Sequence, residues 1–396
     1  MAAEKSEERI KNFLSLYSSG NTRAVYRSGI YAFLDAVYEH TRGHRIPSPA
    51  DIAWYESAAS RYFSRERDYH NDLMRFAASL SSRPPWTARS YVNSVKEFMT
   101  EQDIEFSQRD LKRVRSKLPK GGARTIEKTL DHEVLRTVLH HMDVHGKAVI
   151  LVLASSGMRI DECLSLKMND LDLETVPAEI TVRGETAKGG EQRFSFISKE
   201  AAEIVCEWYK KRDEYIFSAK NRNAGLVRRG IGSPRVSDDD RVFPFTDDVV
   251  YDQWKNALKS AGLFSVDATT KRNQRTIHAL RKFFYSQLSR GCPEVVVQML
   301  MGHEGYLTDA YRRYTKVQAA EMYLKAEYCV TINIPKEIRE IESEFKSKMA
   351  AHSEILENLV QKNFNQEQRN LAQERELKEL RNLAETLQTM IHKERE

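Results

Sequence analysis

Residues 179–198 read EITVRGETAKGGEQRFSFIS, and this stretch decides the fold class. Its two ends are short and rich in residues that favour β-strands, and the segment between them contains Gly189 and Gly190, which permit positive φ angles. The pattern predicts a β-hairpin. The flanking segments LDHEVLRTVLHHM, KAVILVLASSG and KEAAEIVCEWYKKR instead carry apolar residues at the three- and four-residue spacings of helices. We therefore predict a mainly α-helical chain with a small β-sheet.

The N-terminal part is helical by the same criterion. Up to residue 118, apolar residues recur at spacings of three and four residues, without the alternation of a strand. This predicts an all-α domain over 1–118. The segment KLPKGGARTIEKTL, with Pro119, Gly121 and Gly122, breaks the periodicity and predicts a basic interdomain linker over 119–128. A mixed α/β domain over 129–335 contains the hairpin. Within it, the polar stretch at 221–241 is predicted to be a loop.

The last 61 residues differ in kind, because from Lys336 on there is no proline or glycine and charges of both signs dominate. Apolar residues fit a heptad register through Ile338, Phe345 and Leu359. A second register fits Leu377, Leu380, Leu387 and Ile391, and the shift between the two predicts a discontinuity. We expect a self-associating coiled coil over 336–396, with a single solvated helix as the alternative.

Composition excludes several classes of protein. The chain has 396 residues, 41% hydrophobic and 30% charged, and its longest uncharged apolar run, at 148–154, is far shorter than the roughly 20 residues of a membrane span. The N-terminus lacks the apolar segment of a secretory signal. We expect a cytoplasmic, nucleoid-associated protein that does not contact a membrane.

Four cysteines at least 37 residues apart predict reduced thiols, with neither a disulfide framework nor a zinc site: Cys163, Cys206, Cys292 and Cys329. Adjacent histidines at 140 and 141 would point in different directions on a helix, so they do not indicate a metal site either. No metal and no cofactor are expected.

The positive charge lies towards the N-terminal end. Residues 1–128 hold 22 lysines and arginines against 16 aspartates and glutamates, whereas 129–335 hold 29 against 28 and 336–396 hold 11 against 13. One local run has only Asp110 as an opposing charge and suits a phosphate backbone. A solvated helix face followed by a linker is the alternative. The run consists of Arg109, Lys112, Arg113, Arg115, Lys117, Lys120 and Arg124.

Candidate catalytic residues occur in four strings. They are SSGMRIDECLSL with Arg159, TAKGGEQRF with Lys188, HALRKF with His278 and Arg281, and MGHEGYLTDAYRRY with His303, Tyr311 and Tyr314. Each string alone is weak, because a pattern such as H-x-x-R also arises by chance.

Together, these strings resemble the tyrosine recombinase (phage-integrase) family, whose pattern is an arginine, a hairpin lysine, H-x-x-R, a G-H pair and a nucleophilic tyrosine. The resemblance covers about 129–330, and the segment YLKAEYCVTI suggests an archaeal or archaeal-viral integrase. It implies a core-binding domain before a catalytic domain, site-specific cleavage and rejoining of double-stranded DNA through a 3′-phosphotyrosine, a tetramer on DNA, and no need for metal or ATP. The C-terminal segment has no counterpart in the family pattern.

Cleaving a phosphodiester without a metal requires another source of positive charge. Arg159 and Arg281 fit this role, because guanidinium groups are planar donors that stay charged at any working pH. Lys188 on the hairpin can protonate the departing 5′-oxygen. His278 and His303 are candidates for moving the phenol proton, and the sequence does not divide these roles between them.

Glu162 lies one turn after Arg159, where it could orient the guanidinium or form an ordinary surface pair. The family usually separates the G-H histidine from the tyrosine by nine residues, but position 312 is an arginine. Tyr311 lies eight residues after His303, and Tyr314 lies eleven residues after it. We predict Tyr311 as the nucleophile, because a turn shortened by one residue can present it with little adjustment.

Two other functions are compatible with these residues. A type IB topoisomerase shares the chemistry but relaxes supercoils as a monomer. A non-catalytic DNA-binding scaffold would use the basic helices and the coiled coil alone, but all six chemical positions are filled, which argues against it.

Overall fold

The computed structural model describes residues 8–41, 43, 46–187, 189–229, 239–302, 314–333 and most positions between 348 and 382. The chain divides into two compact units, Met1–Lys128 with Ser265–Gln274, and Thr129–Phe264 with Arg275–Glu396. None of the helices within the described residues is long and apolar enough to cross a membrane.

The first unit is built from helices whose apolar faces share one core around Phe33, Tyr62 and Phe98. The start of α6 is fixed by a capping box, in which Ser107 and Asp110 exchange hydrogen bonds with each other's backbone N–H groups. The helices are α1 (Arg9–Ser15), α2 (Gly20–Tyr38), α3 (Pro49–Phe63), α4 (Tyr69–Ser79), α5 (Pro85–Thr100) and α6 (Gln108–Lys117).

The end of the expected linker is tied to the loop 265–274. Asp267 accepts hydrogen bonds from the backbone N–H groups of Thr270 at 2.8 Å and Ile126 at 3.0 Å. These bonds lower the pKa of Asp267 to about 2, because they stabilise its charged form. Lys128 also donates its N–H to the carbonyl of Gln274, at 2.9 Å. Residues 126–128 are therefore fixed to this loop.

The second unit combines helices with a three-stranded antiparallel sheet in the order β1-β2-β3. The sheet contains β1 (Leu171–Asp172), β2 (Ala178–Val182) and β3 (Arg193–Ile197), with Ile180 opposite both Leu171 and Ser195. The helices are α7 (His132–His140), α8 (Val144–Ser156), α9 (Ile160–Leu164), α10 (Lys199–Arg228), α11 (Asp247–Ser260), α12 (Ala279–Leu288), α13 (Glu294–Met301) and α14 (Lys316–Ala326).

Helix α8 is the centre of this unit. It is apolar on every side, most of its residues are buried, and it packs against α10, α12 and β3. It ends at Gly157, whose φ of +66° is left-handed. A side chain there would also collide with Phe284, because a Cβ atom would lie 2.3 Å from the ring. Glycine is therefore required where α8 turns into the candidate site.

The mainly helical fold with a small sheet is confirmed, and two details differ from expectation. The predicted loop at 221–241 is wrong for its first eight residues, because α10 continues through Gly225 to Arg228. A glycine inside a helix costs only about 1 kcal/mol, which the rest of a long helix can offset. The two-residue strand β1 was also not expected, since so short a strand has no sequence pattern of its own.

Candidate active site

Arg159 and Glu162 form the centre of the candidate site. Arg159 is the N-cap of α9, and its backbone N–H donates to Glu162 Oε2 at 2.9 Å while its Nη1 donates to Oε1 at 3.0 Å. Glu162 is buried, with 2% of its surface exposed, whereas the Arg159 side chain is 29% exposed. The surface-pair interpretation of Glu162 is therefore wrong, and its carboxylate orients a guanidinium that remains accessible.

Arg193, at the start of β3, is a member of the site that the sequence does not predict. Its Nη2 donates to Glu162 Oε2 at 2.6 Å and its Nη1 to Oε1 at 3.2 Å. Its Nε donates to the carbonyl of Leu300 at 3.3 Å, near the end of α13. The RFSFIS string predicts only a strand, because an arginine at its first position carries no signal of a buried partner 31 residues earlier.

The two arginines determine the charge of Glu162. Burial raises the pKa of this carboxyl, but hydrogen bonds from Arg193 and Arg159 and the charge of Arg193 outweigh burial, so the pKa lies below its ordinary value. Glu162 is therefore ionised at neutral pH although it is buried. A buried carboxylate with two guanidinium partners is a fixed element of the site.

Arg281, on the first turn of α12, is 5% exposed. Its Nη1 donates to the carbonyl of Gly157 and its Nη2 to the carbonyl of Met301, at 2.7 Å. Burial lowers the pKa of Arg281 to about 10, and the charges of Arg159 and Arg193 act in the same direction while Glu162 opposes them. The guanidinium remains charged at neutral pH, since this pKa is still about three units higher.

His278 caps the same helix, and its carbonyl accepts a hydrogen bond from the N–H of Arg281 at 3.2 Å. Its side chain is exposed, in contrast to the buried Arg281. The H-x-x-R spacing thus gives one accessible imidazole and one buried guanidinium one turn apart. An exposed histidine of this kind is accessible to a bound substrate.

A cavity of about 220 Å³ opens beside these arginines. Arg159, Arg193 and the partly buried Tyr314 contribute to its wall. The remaining lining residues come mainly from the hairpin and α13: Gly189, Glu191, Gln192, Phe194, Met299 and Gly302. The structure thus brings a tyrosine, two guanidiniums and the hairpin segment to one cavity.

The start of α14 is attached to the hairpin. Thr315 caps this helix directly after Tyr314, and Lys316 Nζ forms an ion pair with Glu179 Oε1 on β2 at 2.7 Å. Tyr323, further along α14, is fully buried and donates its hydroxyl to the carbonyl of Ser155 at 2.8 Å. Burial raises the pKa of Tyr323 well above its ordinary value. Tyr323 is therefore a structural residue.

Three predicted catalytic residues, Lys188, His303 and Tyr311, lie outside the described residues. Described neighbours adjoin these gaps. Gly189 and Gly302 line the cavity, and Gly302 has a φ of +64° that ends α13 one residue before His303.

The seven predicted DNA-binding residues are all exposed or partly exposed. On α6, Arg109, Lys112, Arg113 and Lys117 have the i, i+3, i+4, i+8 spacing of a single helix face. Arg115 lies on another side and lines a groove with the exposed Trp86. Lys120 and Arg124 follow the helix. Asp110, the one acidic residue of the run, caps α6 and is the single opposing charge on this helix.

No group of three or more possible metal ligands occurs among the residues that the structure describes. All four cysteines are free thiols, with Cys206 exposed and Cys163, Cys292 and Cys329 buried.

A buried carboxylate and main-chain carbonyls hold two arginines near a cavity that Tyr314 lines, an arrangement suited to an enzyme that acts on phosphodiesters. The sequence profile of the Phage integrase family matches residues 123–321, half of the chain, and the chain belongs to this family. It is a site-specific DNA recombinase of the tyrosine type.

Similar proteins include two archaeal enzymes. Tyrosine recombinase XerA of Saccharolobus solfataricus is 24% identical over 319 residues, which are 80% of this chain and 90% of the relative. Tyrosine recombinase XerA of Pyrococcus horikoshii is 26% identical over 293 residues, 71% of this chain and 89% of the relative. A crystal structure of XerA recombinase aligns with 81% of this chain and 98% of its own, at 17% identity and a TM-score of 0.33.

Proposed function

We propose that this recombinase cuts and rejoins double-stranded DNA by attack of a tyrosine hydroxyl on a phosphodiester, without metal or ATP. The observation that carries the proposal is the support of Arg159 and Arg281 by Glu162 and by the carbonyls of Gly157 and Met301. Fixed guanidiniums stabilise the charge that develops on the nonbridging oxygens, and they need no reorganisation as the reaction proceeds.

The proposed step exchanges one phosphate ester for another. The tyrosine oxygen forms a bond to phosphorus, the bond to the 5′-oxygen breaks, and the 3′-phosphate remains on the tyrosine. The reverse attack by a 5′-hydroxyl of the other strand restores the DNA backbone and frees the tyrosine. Since each step makes one ester bond for each one broken, no energy source is required.

We assign the attack to Tyr314, because it lines the cavity to which Arg159 also contributes. This changes the expectation from the sequence, which favoured Tyr311 on its spacing from His303. Tyr311 lies outside the described residues, so it remains the alternative on its spacing from His303. One adduct analysis distinguishes them.

Proton transfers complete the cycle. We propose that Lys188 gives its proton to the departing 5′-oxygen, since it lies in the hairpin next to Gly189, a residue of the cavity wall. The exposed His278 is suited to accept the phenol proton or to bind the phosphate, and His303 has the complementary role.

We propose that the basic face of α6 binds the DNA backbone and that exchange takes place in a tetramer. Phosphate contacts position a protein on DNA without reading its sequence, and exposed arginines and lysines on one helix face are suited to this.

The test is a suicide substrate, a cognate duplex with a nick close to the scissile phosphate. After cleavage, the short fragment that carries the free 5′-hydroxyl diffuses away, so rejoining cannot occur. The purified chain, with EDTA and without ATP, should form a covalent adduct that survives denaturation. Cognate DNA can be found by mapping covalent adducts across a genome. Binding of cognate DNA without any adduct would contradict the proposal and favour a non-catalytic scaffold. Efficient relaxation of a supercoiled plasmid without a cognate site would indicate a topoisomerase instead.

A further inference from the structure

The C-terminal segment presents large apolar side chains to solvent. Every described residue between 348 and 382 is helical and exposed. Nine large apolar side chains in this segment are 50–67% exposed: Met349, Ile355, Leu356, Leu359, Val360, Phe364, Leu371, Leu377 and Leu380. A helix with this much exposed apolar surface is stable in water mainly when another element covers it.

One heptad register places five of these nine residues at a and d, and it places Ile355 and Val360 at the flanking g and e positions. Its a positions are Met349, Leu356, Asn363, Asn370 and Leu377, and its d positions are His352, Leu359, Gln366, Gln373 and Leu380. The sequence alone suggested two registers with a discontinuity, but the second register continues back to Met349 without a break. The result is a seam with four polar layers in the middle, apolar layers towards both ends, and one further polar layer, His352, next to Met349.

We propose that residues 349–382 pair with the same segment of a second copy of this chain as a parallel, in-register, two-stranded coiled coil. The proposal is independent of the strand-transfer chemistry proposed above, because no residue of the candidate active site belongs to this segment.

The flanking charges favour the parallel orientation. In a parallel pair, each g residue faces the e residue that lies five positions later on the partner. In this register all three charged contacts join opposite charges: Lys362 with the partner's Glu367, Arg369 with the partner's Glu374, and Glu376 with the partner's Arg381. The preceding contact, Ile355 with the partner's Val360, is apolar on both sides.

An antiparallel pair would not have this complementarity. The alignment that keeps the polar layers together sets Asn363 against the partner's Gln373. It also sets Arg369 against the partner's Arg369 and Glu367 against the partner's Glu367, and it leaves Lys362 with the partner's Glu376 as its one contact between opposite charges. Like charges at these positions are destabilising. The a and d residues alone are compatible with either orientation. The charged e and g residues therefore determine which orientation forms.

The polar layers favour an in-register pair. Gln366 Nε2 donates to Asn370 Oδ1 at 3.4 Å along one helix, which leaves the remaining amide groups free to bond across the seam. A slip by one heptad would set Asn363 against the partner's Leu356 and leave a buried amide unpaired. Asparagine at an a position is known to fix register and strand number in this way, at a cost in stability. Phe364 and Leu371 fall at b positions and lie outside the seam.

The first test uses the full chain without DNA. Light scattering at micromolar concentration should give twice the chain mass of 45.8 kDa. A monomer, or an assembly of more than two chains, would overturn the proposal. For orientation, Leu380→Cys is introduced with Cys206→Ser, which removes the exposed thiol. Mild oxidation should link two Leu380→Cys chains to each other. If Leu380→Cys chains link only to Leu356→Cys chains in a mixture, the orientation is antiparallel and the proposal fails.

The second test reverses one charge. Arg369→Glu turns two attractive contacts into repulsive ones, which should weaken dimerisation about tenfold. Adding Glu374→Arg in the same chain should restore it, since opposite charges then face each other again. Lys378→Glu makes the same charge change at an outward b position and should leave dimerisation unchanged. Equal effects of Arg369→Glu and Lys378→Glu, or no rescue by Glu374→Arg, would contradict the proposed contacts.

Discussion

Arg193 contacts both carboxylate oxygens of Glu162, the residue that also holds the backbone and side chain of Arg159. Because Arg193 begins β3 and also bonds the carbonyl of Leu300, it connects the hairpin, the start of α9 and the end of α13. Each of these elements is adjacent to a predicted catalytic residue. We infer that Arg193 is a positioning residue for the whole group.

Arg193→Ala should therefore slow cleavage strongly while leaving DNA affinity nearly unchanged. Removing one partner of a buried ion pair costs about 3–5 kcal/mol, so the unfolding free energy should also fall. Cleavage per correctly folded molecule, measured at a temperature well below the unfolding transition, separates the two effects. Arg290→Ala, an exposed arginine of the same unit, should change neither quantity. Equal activity of the two variants would show that Arg193 does not position the site.

The same variant predicts a change in pH dependence. The pKa of Glu162 is lowered in the folded chain, so its contribution is present above its ordinary pKa and is lost as the pH falls through the lowered value. Without Arg193 that pKa rises, and Glu162 gains its proton at a higher pH. The acid limb of the cleavage rate should therefore shift towards neutral pH in Arg193→Ala. An unshifted acid limb would contradict this role of the ion pair.

Arg281→Lys should cleave DNA slowly although it preserves the positive charge. The two carbonyls of Gly157 and Met301 are bonded by different nitrogens of one planar group, and an ammonium group cannot reproduce that fork. Loss of a fixed donor at a transition state costs about 100- to 1,000-fold in rate. Single-turnover cleavage of the suicide substrate measures it, and a gel-shift assay should show nearly unchanged binding. Wild-type rates from the lysine variant would mean that charge alone suffices.

Gly157→Ala and Gly262→Ala form a matched pair for the geometry at the end of α8. Both glycines have left-handed φ, +66° and +69°, so each substitution should cost about 1–2 kcal/mol from the backbone. Only at Gly157 would the new Cβ also collide with Phe284, since Gly262 has open space around it. Urea unfolding should show the larger loss for Gly157→Ala, and cleavage should fall only there. Similar losses would mean that the collision relaxes at little cost.

Local patterns made most of the fold and part of the site predictable. The hairpin, the helices around it and the candidate arginines depend on periodicity and motifs within a few residues of one another. The buried state of Glu162 did not follow, because its second partner is 31 residues away on another element. From the sequence, Glu162 and Arg159 form an ordinary i, i+3 pair, and only tertiary contacts distinguish a buried carboxylate from a surface one.

The helical extent of α10 was missed for a related reason. The stretch beginning at Asn221 is polar and contains Gly225, which are features of a loop, yet it continues a helix whose first half places Ala201, Val205 and Trp208 in the core. Packing of one half stabilises the whole helix, because extension of an existing helix costs much less than nucleation. Local composition therefore underestimated its length.

The basic face of α6 should control the salt dependence of DNA binding. Arg113→Ala with Lys117→Ala removes two candidate phosphate partners, so the slope of log K against log salt should decrease by roughly 0.9 for each phosphate that is no longer neutralised, on any sequence. Arg23→Ala with Arg27→Ala removes the same charge from solvent-accessible positions on α2 and serves as the control. An unchanged slope for the α6 pair would place this face away from DNA.

The nucleophile can be identified by two single-atom changes. Tyr314→Phe removes only the hydroxyl and keeps the ring in the cavity wall, so it should abolish the covalent adduct while DNA binding persists. Tyr311→Phe should still form the adduct. Mass spectrometry of the digested wild-type adduct should then find the nucleotide on Tyr314. If it is on Tyr311, the eight-residue spacing from His303 is the better guide and the assignment to Tyr314 is wrong. An adduct in both single variants but not in the double one would show that either hydroxyl can reach the phosphate, because a phenylalanine ring offers no oxygen to attack.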